Sequence, residues 1–122
     1  VTLASAVLEL HRWWAWVVVV STGLAGSWAL VAHLSPAIRR RELWWFTAAA
    51  HASVFVQAGL GSWLIAREDR DAPDLHALYG FSLLAAVGII YSYRQQLREH
   101  VYLLYGGGGL FLMGMGIRAL IT

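Results

Sequence analysis

Four apolar stretches separated by three short polar breaks make up almost the whole chain. The stretches run from about Trp13 to Leu34, Leu43 to Ala66, Leu75 to Tyr93 and Val101 to Ile121. Each is near or above the roughly 18 residues with which an α-helix crosses a hydrocarbon core of about 30 Å. The pattern predicts an all-α fold: an integral membrane four-helix up-down bundle forming a single transmembrane domain over residues 1–122. Tryptophans frame the spans, with Trp13, Trp14 and Trp16 at one end of the first, and Trp44 and Trp45 against Trp63 in the second. Such framing is the signature of an aromatic belt at each membrane face.

The breaks set the orientation. Break one, Ser35 to Glu42, carries a proline and three consecutive arginines; break three, Arg94 to His100, holds two arginines and one glutamate. Break two, Arg67 to Asp74, sets two arginines against four acids. Because arginine and lysine favour the cytoplasmic side, five arginines against two place breaks one and three inside. Both termini are therefore expected outside, in a multi-pass protein of a bacterial cytoplasmic membrane. Val1 to Arg12 reads as a short interfacial segment leading into a retained first span, and Asp74 is expected to cap the third helix. The acidic break reads as a solvated loop, since it lacks the glycine turn and terminal glutamate of a calcium-binding hand.

Spans one and three echo each other. His11, Trp14, Trp16, Gly23, Ser27 and Trp28 recur at the spacing of His76, Tyr79, Phe81, Gly88, Ser92 and Tyr93. Gly59-Leu60-Gly61 and Gly114-Met115-Gly116 extend the match weakly into spans two and four. Two copies of a helical hairpin about an axis normal to the membrane would produce this arrangement.

Composition narrows the chemistry. The chain is 59% hydrophobic and 13% charged, with a mean hydropathy of +0.58, too apolar for a soluble domain of this size. All nine basic residues are arginine, there is no lysine or asparagine, and the formal charge is +2; this points to a GC-rich genome and away from nucleic-acid binding. With no cysteine, disulfides, thiolate metal sites and covalent haem attachment are excluded. No His-Glu-x-x-His, phosphate-binding glycine loop, Ser-His-Asp set or carboxylate within a span is present, which argues against an enzyme and against a proton-coupled transporter.

Five positions stand out. His11 and His76 share the outer interface, while His33 and His100 share the inner one. Neutral imidazoles from two diagonal helices can supply both axial ligands of a b-type haem, with Gly23 and Gly88 giving room for the macrocycle; hydrated interfacial histidines are the plain alternative. His51 lies roughly 12 Å above the inner end of its span, where an ionisable group is expensive and tends to find a polar partner. Gln57, six positions on, projects on a different side. Arg118, one turn from the outer end of span four, is expected to snorkel to the headgroups or to pair with an acid. Gly106 to Gly109 costs helix propensity and suits close helix packing, within the bundle or against a partner, or a lipid or quinone tail.

At Asp74-Leu75-His76-Ala77-Leu78-Tyr79-Gly80 and at Gly116-Ile117-Arg118-Ala119-Leu120 the chain resembles small four-span membrane proteins of GC-rich, actinobacterial-type bacteria. That resemblance implies architecture and supplies no catalytic residues. A looser likeness is to the bis-histidine helices of respiratory b-type cytochromes, which place histidine pairs at two depths; span three here has only His76. The leading expectation is an accessory subunit, without catalytic residues or cofactor, packed against other integral membrane subunits and lipids in a larger energy-converting or transport complex. The alternative is a single-haem b-type cytochrome exchanging electrons near the outer face with a quinone or a redox subunit. A small transporter or lipid-binding module comes third.

Overall fold

The structure is a computed structural model that describes residues 2–68 and 73–122, apart from the side chains of Glu68 and Asp74. It contains four long helices, α1 (Leu3–Leu34), α2 (Arg41–Glu68), α3 (Asp74–Ser92) and α4 (Val101–Ile121), and no strand among the described residues. Short 3-10 turns at Pro36–Ile38 and Arg98–His100 lie in two of the connections. All four helices are long and apolar enough to cross a membrane. Their outer faces are apolar as well: Trp13, Trp16, Trp45 and Phe111 are 68%, 52%, 71% and 55% exposed. A water-soluble monomer rarely presents so continuous an apolar surface, whereas lipid covers one without cost.

The segment expected to lead into the first span is helical from Leu3 and continuous with it in α1. Thr2 accepts a hydrogen bond from the Ser5 backbone N–H while the Thr2 N–H donates to Ser5 Oγ, a reciprocal cap at the helix start. No glycine or proline follows before the first tryptophan, so nothing stops the helix from running on into the span. His11 therefore sits on the same rigid rod as the residues of the bilayer centre. Pro73, with no N–H to leave unpaired, takes the cap position of α3, and Asp74 is its first helical residue rather than its cap. The Asp74 side chain, and residues 69–72 of the acidic break, lie outside the described residues.

Helix α1 packs closely against α2 and α4, α3 packs against α4, and of these neighbouring pairs α2 and α3 meet least. The α1/α4 seam is tight because glycines bring backbones together. A Cβ at Gly109 would stand 2.6 Å from Gly26 Cα, and one at Gly26 would stand 2.8 Å from the Leu110 nitrogen. Gly106 meets Leu30 and Gly108 meets Ile90 of α3, so three of the four consecutive glycines face inward. Thr22, fully buried on this seam, places its hydroxyl on Val18 O at 2.6 Å, which removes its polarity from the interface.

Val18, Val54, Leu83, Val87, Ile90 and Leu112 fill the centre, one or more from each helix. A second cluster at the basic end gathers Ala29, Ala32 and Leu43 under Trp28, Trp44, Tyr102 and Tyr105. There Arg39 turns back onto α1, donating from Nε to Ala32 O at 2.7 Å and from Nη2 to His33 O at 2.9 Å. Its guanidinium also lies 4.9 Å from the centre of the Tyr102 ring. One of the three arginines read as a topology signal thus satisfies the carbonyls that end α1.

Candidate functional site

With α1/α4 closed by glycine and α2/α3 barely touching, the end of the bundle away from the arginine-rich turns is left with a cleft of about 460 Å³. This volume falls within the range of small-molecule and cofactor sites. His11 of α1 and His76 of α3 face each other across it, ring centres 6.0 Å apart and planes at 77°. The other walls mix small residues, among them Ala58, Gly61 and Ser62 of α2, Ala77 and Gly80 of α3 and Gly116 and Ala119 of α4, with the larger Leu8, Arg12, Ile65, Phe81 and Leu120. Val18, Val54 and Leu83 form the floor.

Each histidine is anchored. His76 Nδ1 lies 2.7 Å from the Ala119 carbonyl oxygen; since a carbonyl only accepts, Nδ1 carries the proton and Nε2 keeps its lone pair. His11 is held through its main chain, whose carbonyl accepts from Gln57 Nε2 at 2.7 Å. Its ring leans on α2 at Gly61, where a Cβ would stand 3.1 Å from Cε1. Trp14, one turn further along α1, donates its indole N–H to Ser53 O at 2.8 Å and fixes the rotation of α1 against α2. His11 Nδ1 and Gln57 Oε1 are both buried without a partner.

The other sequence-selected positions separate. His51 stacks on Tyr105, ring centres 5.8 Å apart at 20°, and so belongs to the aromatic cluster at the basic end, away from Gln57. Arg118 is exposed and holds its guanidinium 5.6 Å from the centre of the Tyr79 ring; no ion pair with Glu9 forms, since Glu9 meets Arg12 at 3.9 Å. His33 ends α1, and His100 is exposed in the 3-10 turn before α4. Gly23 and Gly88 do not make room for a macrocycle: Gly23 is filled by Met113, whose Sδ stands 2.5 Å from where a Cβ would be, and Gly88 faces outward with nothing within 4 Å. The room comes from Gly61, Gly80 and Gly116, which the internal repeat does not single out as a set. Gln57 as the partner of His11 was also missed, because no spacing within α2 reveals which residue of α1 lies opposite.

Among the described residues no group of three or more His, Cys, Asp or Glu side chains converges. A bare transition-metal ion would find two protein ligands of the four it usually takes. A haem needs two, since its macrocycle supplies the rest. His11 and His76, ring centres 6.0 Å apart, are the two residues that could hold such a group, which would supply one-electron chemistry there. Comparison with protein-family models, with curated proteins and with solved structures found no match for this chain.

Proposed function

We propose that this chain is a haem-binding membrane protein, with His11 and His76 as the two axial ligands and electron transfer near that end of the bundle as its activity. The observation that carries this reading is the pair of imidazoles 6.0 Å apart across a cleft of about 460 Å³. The His76–Ala119 hydrogen bond adds to it, because histidines that bind metal generally donate their second ring N–H to an acceptor that fixes tautomer and orientation. When bound, a haem supplies one-electron chemistry. The chain's own residues hold the imidazoles in place and keep the floor of the site apolar. The test is a visible spectrum of the protein purified with haem in mild detergent: the reduced sample shows a Soret and an α-band, His11→Ala and His76→Ala lose them, and His33→Ala and His100→Ala keep them. No Soret band after haem reconstitution would overturn the reading.

A second reading, the accessory subunit of a larger energy-converting or transport complex, is favoured by two outward glycines. Gly107 and Gly114, two turns apart on one face of α4, have nothing within 4 Å of a Cβ. Glycine in a helix costs ~1 kcal/mol, and a partner helix packed closely on that face recovers it. Mild-detergent purification then brings down a larger membrane protein, and Gly107→Leu releases it; a chain that runs alone at the size of one copy overturns this role. The two readings are compatible, the haem being what such a subunit would contribute.

A further inference from the structure

His76 and His11 are anchored differently, and the difference leaves two polar atoms unsatisfied. The His76 ring donates Nδ1–H to a main-chain carbonyl, whereas His11 Nδ1 is buried without a partner. The second such atom at this site is Gln57 Oε1, on the amide whose Nε2 already donates to His11 O at 2.7 Å. Buried donors and acceptors left unpaired are rare and destabilising. Two of them on neighbouring side chains, one able to donate and the other only to accept, are complementary.

We infer that Gln57 is the positioning residue of His11: its Nε2 holds the His11 carbonyl, and a small turn of the same amide brings Oε1 to accept the His11 Nδ1–H, the two atoms left unpaired, so that one side chain grips main chain and ring of the same residue. This role rests on the haem reading for its purpose, though the hydrogen bond itself does not. It makes the two axial sides unequal. The acceptor behind His76 is backbone and is the same whatever side chain occupies position 119. The acceptor behind His11 is a side chain and sets the basicity of that ligand. A stronger acceptor behind an axial imidazole makes it a better donor to iron and favours the oxidised form; a missing acceptor does the reverse.

Two measurements on the full chain test this. In the haem-free protein, nitrogen NMR of labelled histidine reads the His11 tautomer: Nδ1 is protonated in the native chain, and the Nδ1-protonated share falls in Gln57→Leu. In the haem-loaded protein, Gln57→Leu raises the midpoint potential and weakens haem retention, while Gln57→Glu, which keeps an acceptor behind the ring but loses the donor to the His11 carbonyl, lowers the potential below the native value. Should Gln57→Leu fail to fold, Gln57→Glu and the native tautomer still decide the matter. A native His11 protonated at Nε2, or Gln57→Glu and Gln57→Leu both at the native potential with haem retained, overturns the inference. A chain that takes up no haem but shows the Gln57-dependent tautomer overturns the haem reading alone.

Discussion

At Gly61 the His11 ring leans on α2, with 3.1 Å between its Cε1 and the place of a Cβ. A branched side chain there must push the imidazole toward His76 or out of the cleft. Gly61→Val is therefore expected to cut haem retention severalfold while the bundle stays folded, as read by the Soret-to-protein ratio and the circular-dichroism melt. Gly88→Ala is the control from the internal repeat: its Cβ meets nothing within 4 Å, so retention is unchanged and the melt moves up by at most the ~1 kcal/mol that separates glycine from alanine in a helix. Trp14→Phe keeps an aromatic side chain but removes the indole N–H with its 2.8 Å bond to Ser53 O and part of the ring volume, with an expected loss of at least about 1 kcal/mol. The residue types at these sites were legible in the sequence. Which glycine touches a histidine was not, because a helix's periodicity says what shares a face and not what the face meets.

Helix α4 shows how one run of residues divides its duties by angle. Gly109 touches the backbone of α1, Gly108 the side chain of Ile90 on α3, and Gly107 nothing within 4 Å. Gly109→Leu is expected to force α1 and α4 apart, with a cost at or above the ~1–3 kcal/mol of an overpacked core and a clear drop in melting temperature in detergent. Gly107→Leu, two residues away, leaves the isolated bundle's melting temperature unchanged or higher and disturbs only a complex that uses that face. The same comparison at the start of α1 explains why the expected interfacial segment is helix. The Thr2–Ser5 cap supplies a start, and an interface preference of single residues does not interrupt hydrogen bonding that continues into an apolar span.

On the scale of the whole molecule, α1 and α3 share residues at matched spacings and α2 and α4 only a Gly-x-Gly, and the two seams between the hairpins differ. The α1/α4 seam is closed by Gly26 and Gly109, whereas α2 and α3, the neighbouring pair that meets least, flank the cleft. Orientation in the membrane follows from charge: five arginines in breaks one and three against two in break two predict that the histidine end faces outward. A cysteine at Ala72 should then react with a membrane-impermeant thiol reagent in intact spheroplasts, and one at Ala37 only after lysis; the chain has no cysteine of its own to blur the result. The opposite labelling would invert the bundle and put the cleft at the inner face.

Hydrophobicity, spacing and charge alone determined that the chain forms four apolar helices, where three of them begin and end to within a few residues, and that His11 and His76 lie at one end. These properties are local: each depends on the residues of a single helix or turn and on their preference for lipid or water. The tertiary structure decided which seam closes and which opens, that His11 and His76 stand 6.0 Å apart, that Gln57 serves His11 while His51 stacks on Tyr105, and that Gly23 and Gly88 play no part in the cleft. These depend on how far each helix is turned about its own axis relative to its neighbours. That rotation is set by the sum of many small contacts between helices, in which a glycine against a glycine outweighs any motif within one.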